Sequence, residues 1–552
     1  MKREHFQQLQ RKGPVLFVAA VSSESGIEVS PPENRNAGTE RLREFKESGC
    51  TFVCCPTVRG TVAENRRGEL LCRMRQNISP GVILFGTVAT AGGCVEPFGE
   101  RPFEDAVSQF TKQGTVLAEA GAAGFFIRGM TCIQEARAAL IALRDLGNVP
   151  VIVEMVFGPE GKTEEGTDQV SALITLQSLG ADAVGFSCSG NSGTAGIFPA
   201  LETVKPFARV PLFALPDATH TTPEQFAAEG RNLVRAGANL LGVGRGGTPD
   251  HIASLGAALR SSCTTISRDN KLSTLSSARG SLVVGADHPF AVVGERINPT
   301  GKKKLQADLR EGSMVMVEQF AIEQLRRGAS VLDVNMGLSG IDEMAMMLRA
   351  IRLLSQLSPL PLCIDTTRPE VVEAALRLYP GRALVNSVSG ERERIEQTLP
   401  CAAKYGAMII VLPLTDAGIP ATVKERIGVM ETIMAAAGPH GVTVADVVVD
   451  GLVMTISSNP AAAADTLDLI EWCSRSLRSN TIVGLSNVSF GMPQREWING
   501  AFLGMAMGRG LTMAIANPSS DGIMASVQSY NAVMGHDGAM LLRRGVFKGA
   551  RE

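Results

Sequence analysis

SVLDVN (330–335), LCIDTT (362–367), ALVNSV (383–388) and VVVDG (447–451) are short apolar runs that each carry an acid or an amide at or near their end. Continuous apolar runs of this length, bounded by turn residues, are strands buried on both faces, the habit of parallel sheets. Working outward, AVVGER (291–296), MIIVLP (408–413), IVGLSN (482–487) and TMAIAN (512–517) complete a set of eight. The first half holds another eight: VLFVAA (15–20), CTFVCC (50–55), VILFGTV (82–88), GFFIRG (124–129), PVIVEMVF (150–157), ADAVGFSC (181–188), VPLFALP (210–216) and NLLGVG (239–244). Between them lie stretches at helical spacing, such as Ile133 to Leu146 and Pro223 to Ala236. Two successive sets of eight β/α units predict an α/β fold of two consecutive (β/α)8 TIM barrels. Two doubly wound sheets would share this element order, and the barrels are preferred.

The chain of 552 residues is too long for one core, which stops growing at about 250–300 residues. TTISRDNKLSTLSSARGS (264–281) is rich in Ser, Thr and Arg and has no apolar period. The expected organisation is a first barrel over 1–263, a linker over 264–283 and a second barrel over 284–552. With 53 basic and 55 acidic residues the net charge is −2, and three Tyr and two Trp offer few stacking platforms, so nucleic acid is not an expected partner. No apolar run reaches membrane-spanning length and the start, MKREHFQQLQRKG, is polar; a cytoplasmic protein away from the membrane is expected. Eleven Cys without a secretory signal read as reduced thiols.

The polar residues at the ends of the second set carry the functional signal: Glu295 with Arg296, Asp333 with Asn335, Asp365, Asn386, Asp450, Asn487 and Asn517. One Asp or Asn at a strand end is an ordinary cap for the next helix. Seven strand ends converging on one barrel mouth read instead as a binding site. The mouth has no His or Cys at its strand ends and the chain lacks HExxH and CxxC, which fits neither metal hydrolysis nor acyl transfer. Carboxylates and amides suit a neutral heterocycle with many N–H and C=O groups.

GERINPTG (294–301), VLDVNMG (331–337), CIDTTRPEVVEAAL (363–376), ALVNSVSGE (383–391), VVVDG and the run GLSNVSFGMPQREWINGAFLGMAMGRGLTMAIAN (484–517) resemble the pterin-binding methyltransferase family. That family includes the methyltetrahydrofolate:corrinoid protein methyltransferases and the folate domain of cobalamin-dependent methionine synthase. The resemblance implies one-carbon metabolism, methyltetrahydrofolate or tetrahydrofolate as substrate, and a corrinoid as the other methyl carrier. It implies that Asp365, Asn386 and Asp450 hold the pterin ring, that Asn487 is catalytic beside N5, and that Glu295, Asn298, Asp333, Asn335 and Asn517 line the same mouth. Gly451 stands where the family has Pro. No DxHxxG segment is visible, so the corrinoid is expected on a separate protein. A homodimer through the second barrel is implied as well.

The first half is similar to the homocysteine S-methyltransferase family through FGTVATAG (85–92), GFFIRGMTCIQEARAAL (124–140), GFSCSGN (185–191) and GANLLGVGRGGTPDHI (237–252). That family holds zinc with one Cys after strand 6 and a Cys pair after strand 8. Cys188 remains here, but Arg245 and Gly246 replace the pair, Arg128 replaces an acid after strand 4, and FVAAVSSESG (17–26) lacks the Asp of strand 1. One thiolate does not hold zinc, so none is expected. Three roles stay open: a degenerate structural barrel, a pocket in which Arg128 and Arg245 bind an anion beside Cys188, and a rebuilt thiolate site from Cys54 or Cys55, Cys188 and His220. The main functional expectation is methyl transfer between methyltetrahydrofolate and a corrinoid. The alternatives are the N-terminal half of a split methionine synthase, which needs zinc and homocysteine, and a non-catalytic pterin-binding scaffold for corrinoid partners.

Overall fold

The computed structural model describes residues 1–10, 14–19, 43–55, 68–69, 71–72, 74–75, 83–189, 196–260 and 272–536, and the chain separates into two compact units, 1–270 and 271–552. Most of the FVAAVSSESG segment and part of the proposed linker lie outside the described residues. No described helix is long and apolar enough to cross a membrane.

In the first unit the eight strands expected from sequence pair in parallel, in chain order, and the last returns to the first, closing the barrel. They are β1 (Val15–Ala19), β2 (Phe52–Cys54), β3 (Ile83–Ala89), β4 (Gly124–Met130), β5 (Val151–Phe157), β6 (Ala183–Cys188), β7 (Leu212–Ala214) and β8 (Ala238–Val243). Closure encloses a volume that side chains must fill, and here aromatic rings fill it. Phe17, Phe52, Phe85, Phe126 and Phe213 form one buried cluster, with Phe52 and Phe85 stacked at 4.5 Å and Phe17 and Phe213 edge-to-face at 5.8 Å. Glycine makes the room: a Cβ on Gly185 would stand 2.2 Å from the Phe213 ring. Around the barrel, Thr222 and Gln225 form a capping box that starts helix Pro223–Ala236 where the apolar period begins.

The second unit opens with an antiparallel hairpin, β9 (Ser273–Ser276) and β10 (Ser281–Val284), in residues read from sequence as the end of a linker. Eight parallel strands follow: β11 (Ala291–Ile297), β12 (Val331–Asn335), β13 (Leu362–Asp365), β14 (Leu384–Ser389), β15 (Met408–Leu412), β16 (Val447–Asp450), β17 (Asn480–Ile482) and β18 (Met513–Ala516). β18 pairs with β11, and an Ile515 N–H bond to Val483 O at 2.9 Å joins it to the end of β17. Leu275 and Val284 of the hairpin enter the barrel's interior cluster beside Val293, Val331, Met408 and Ile482, so the hairpin plugs the end opposite the mouth.

That plug is tied down by Arg382, which is 3% exposed and stands just before β14. Its guanidinium donates to Thr274 O at 2.8 Å, to Gly406 O at 2.9 Å and to Asp446 Oδ1 at 2.6 Å. A buried cation held by a charge partner and two carbonyls is costly to remove because Asp446 loses its counter-charge. Arg382→Ala should destabilise the second unit by about 3–5 kcal/mol. Urea unfolding, read by hydrogen exchange in residues 272–536, is the measurement.

Candidate active site

Parallel pairing sets the level of each polar side chain at the second mouth. Asn335 on β12 lies opposite Asp365 on β13, which lies opposite Asn386 on β14, so three polar residues form one row across three strands. Asn335 Nδ2 donates to Asp365 Oδ2 at 3.0 Å, and its own Oδ1 accepts from Gly337 N at 2.9 Å. Two residues deeper, Asp333 is 3% exposed and accepts a long bond from Asn386 Nδ2 at 3.5 Å.

Burial and mutual repulsion dominate the protonation of this pair. Loss of water raises Asp333 well above the usual carboxylate range, and the charge of Asp365 raises it further. Burial also raises Asp365, against the hydrogen bonds from Asn335 and Asp333. The direction is that of two close carboxyls of which the deeper keeps its proton while the outer one ionises. Asp450, at the end of β16, is pushed up to about 6 by burial, with a Leu452 N–H bond at 2.8 Å opposing the shift. Leu452 has a positive φ of 51°, and a Cβ on Gly451 would meet Thr466 at 3.0 Å and Ile470 at 3.2 Å; the turn is packed for glycine here.

Glu295 lies two residues before the end of β11, and Ser486 Oγ donates to its Oε1 at 3.3 Å. Burial raises its pKa, opposed by Lys302, Ser486, Arg296 and Arg495. Asn487 is displaced from its expected position: β17 stops at Ile482, and Leu485–Asn487 is a turn of 3₁₀ helix, so the residue sits on the rim beyond the strand. Gly484 and Leu485 cannot extend the strand because Asn487 N bonds back to Gly484 O at 3.1 Å. The Asn487 side chain is exposed and makes no hydrogen bond among the described residues. Asn298 and Asn517 behave differently, since their Oδ1 atoms accept from Thr300 N at 2.9 Å and Ser519 N at 3.1 Å and close local turns.

Four neighbours escaped the reading of strand ends, three because they lie on helices or loops and Cys363 because it sits inside β13 rather than at its end. Lys302 Nζ donates to Asn298 O at 3.1 Å, and Arg495 Nη2 donates to Ser486 O at 2.6 Å. Gln324, fully buried, receives Arg296 N at 2.9 Å, and Cys363 beneath the acids hydrogen-bonds Asp333. Only Lys302 had a signal, its place beside GERINPTG.

The mouth of the first barrel is arranged around an ion pair. Arg128 Nε lies 3.5 Å from Glu154 Oε2, and Glu154 also accepts from Gly129 N at 3.2 Å and Ser187 Oγ at 3.1 Å. Glu154 thus balances the charge that had been read as a bare anion clamp; Arg245 is on the exposed side of the mouth. Burial raises the thiols of Cys54 and Cys188, and Cys55 Sγ accepts Thr87 N at 3.1 Å. Cys54 and Cys188 are thus protonated thiols, the reverse of a thiolate set. Among the described residues no three His, Cys, Asp or Glu side chains are grouped to hold a metal. The zinc of the related family therefore does not fit these residues: Cys188 stands without the Cys pair, and Arg245 and Gly246 occupy its place.

Residues 294–517 match the family model for pterin binding enzymes, and residues 59–259 match that for homocysteine S-methyltransferases. Methionine synthase of Mycobacterium leprae (strain TN) is 27% identical over 447 residues, 74% of this chain and 37% of that protein. The chain thus spans little more than a third of that relative's length. The methylcorrinoid:tetrahydrofolate methyltransferase of Eubacterium limosum is 29% identical over 252 residues, 45% of this chain and 92% of that protein. A metallated homocysteine methyltransferase structure from Escherichia coli covers 46% of this chain and 98% of its own, with 16% identity and a TM-score of 0.39.

Asp450 lies within the matched stretch, and its raised pKa has a sign that can be measured. The folded state binds its proton more tightly than the unfolded chain does, so stability falls as pH rises from about 4 to about 6. Above that window the buried charge costs up to about 3 kcal/mol. Asp450→Asn, which keeps an oxygen for Leu452 N, should stabilise the protein by that order at pH 7 and have little effect at pH 4. Thermal unfolding at the two pH values reads the difference.

Proposed function

The chain joins a pterin-binding methyltransferase domain to a homocysteine S-methyltransferase-like domain, and from that premise we propose that the second barrel moves a methyl group between N5 of methyltetrahydrofolate and a corrinoid carried by a separate protein. One observation carries this reading. A row of half-buried carboxylates and amides over the buried Asp333 meets, at the same mouth, a rim amide with no bond among the described residues.

A carboxylate with an unfilled oxygen accepts the paired N–H donors of a pterin edge, and an amide serves both donors and acceptors. Asp365, Asn386 and Asp450 take this part, with the protonated Asp333 beneath Asn386 and Asn335 orienting Asp365. Burial of these acids is unfavourable until a ligand supplies donors, which makes the mouth selective for a heterocycle with several N–H groups. N5 carrying a methyl is a poor leaving group unless it gains a proton or a strong hydrogen bond as the C–N bond breaks. Asn487 provides that hydrogen bond from the rim, where its amide is free to turn toward N5. The reduced corrinoid supplies the nucleophile. The residues at the mouth hold the pterin, orient N5 outward and stabilise its change in charge.

Homocysteine methylation is less well supported, because the first barrel offers Arg128 paired with Glu154 and protonated thiols where thiol activation needs a zinc ligand set. A homodimer through the second barrel is proposed on the exposed Trp497 and Met505, which lie two turns apart on helix Arg495–Gly508.

Calorimetric titration should show methyltetrahydrofolate binding in the micromolar range, with no stoichiometric zinc by elemental analysis of the same sample. Stoichiometric zinc would favour homocysteine chemistry, and absence of folate binding would leave the scaffold. Asn487→Ala should slow methyl transfer by about 10²–10³-fold while folate affinity changes little, since the hydrogen bond strengthens as N5 gains charge. Equal losses in rate and affinity would remove Asn487 from that role.

A further inference from the structure

Glu295 is joined to the residue that precedes Asn487. Both carboxylate oxygens lie within reach of Ser486 Oγ, at 3.3 and 3.5 Å. In the sheet β18 separates β11 from the end of β17, so this bond crosses a strand to reach the turn. It crosses at the seam of the barrel, where β17 and β18 are joined by the bridge Gly484–Ile515 and, deeper, by Thr512 N bonding to Thr481 O at 3.3 Å, in place of a continuous strand ladder.

Past Asn487 the turn is anchored from a neighbouring segment, Ile456 N bonding to Val488 O at 3.1 Å and Thr455 Oγ1 donating to Phe490 O at 2.6 Å, while the bonds at Asn487 itself are local. Asn487 N bonds to Gly484 O at 3.1 Å, Val488 N to Leu485 O at 3.3 Å and Phe490 N to Asn487 O at 3.2 Å. Two contacts from outside fix Ser486: Arg495 Nη2 donates to its carbonyl at 2.6 Å, and Glu295 takes its hydroxyl. Lys302, Arg296 and Arg495 surround the Glu295 carboxyl with positive charge, and Asp333 faces it from β12. A hydroxyl donating to an ionised acceptor is roughly twice as strong as a neutral pair.

We propose that Glu295 is a positioning residue that acts through Ser486 to hold the turn aiming Asn487 at N5, a role apart from contact with the pterin. The proposal rests on the reading of this mouth as a methyl-transfer site. Its physical basis is reach: a catalytic amide on a rim turn beyond the end of its strand needs a tie to a rigid strand. A misplacement of about 1 Å is enough to lower a rate by about a hundred-fold.

The test uses the full chain with Ser486→Ala, Ser486→Thr, Glu295→Ala and the Glu295→Ala/Ser486→Ala double variant. Two readouts are taken: hydrogen exchange at the amides of 485–490, and methyl transfer from methyltetrahydrofolate to free cob(I)alamin. Each alanine variant should speed exchange at the turn and lower kcat by about a hundred-fold, with folate Kd within about two-fold of wild type. The double variant should be no worse than either single one, because both remove one link. Ser486→Thr, which keeps the hydroxyl, should restore exchange and rate. Unchanged exchange in both alanine variants would overturn the proposal. So would a fall in folate affinity that matches the fall in rate in Glu295→Ala while Ser486→Ala behaves normally, since Glu295 would then be a pterin ligand. If the wild type binds folate and transfers no methyl, the methyl-transfer reading fails, and the exchange comparison still decides whether Glu295 holds the turn.

Discussion

Closing eight parallel strands on themselves is the constraint from which the rest follows. Parallel order puts every strand's carboxyl end on the same rim, and closure makes inward side chains fill the middle. The first barrel fills it with stacked phenylalanines and the second with aliphatic side chains plus Leu275 and Val284 of a hairpin. Both solutions free the rim from packing. Polar groups can then stand there without weakening the core, at the cost of partial desolvation that a ligand offsets.

The two rims put that freedom to different use. In the second, Asp333, Asp365 and Asp450 are raised by burial and form no ion pair among the described residues; their hydrogen-bond partners are amides, a thiol, a backbone N–H group and each other. In the first, Glu154 is neutralised by Arg128, Gly129 N and Ser187. An acid that is already paired has little left to offer a ligand, whereas one kept above its ordinary pKa is relieved by any donor that arrives. Under the proposed function, the contrast separates a mouth able to receive a polar heterocycle from one whose charges are settled internally.

Much of this was legible in the sequence because both signals are periodic. Since a fully buried parallel strand must be apolar along its length, fifteen of the sixteen apolar runs became barrel strands, and the other, IVGLSN, meets its strand only at Ile482. The acids and amides at the strand ends were legible for the converse reason, as polar residues where packing asks for none. What the sequence hid lacks such a pattern. The hairpin over 273–284 is polar, and its one well-buried apolar strand residue on β9, Leu275, is too little to read as a period. Glu154 lay unnoticed inside an apolar run, though its charge decides what Arg128 can do. Ser486 and Arg495 matter through contacts between residues on different elements, which spacing along the chain does not report.

The place of Asn487 shows why such contacts count. Had IVGLSN continued as strand to Asn487, the amide would have been fixed by ladder bonds on both sides. The strand instead stops at Ile482, and the amide rides a turn in which the backbone bonds of Asn487 itself are local. A turn gives the amide freedom to meet a substrate, and that freedom lowers the precision on which hydrogen-bond catalysis depends. Side chains reaching in from other elements, Arg495 to a carbonyl and Glu295 to a hydroxyl, recover the precision without restoring the ladder. The amide group itself is left unbonded within the described residues while the residue before it is held twice, the division of labour expected where one group must respond to a substrate and its support must not.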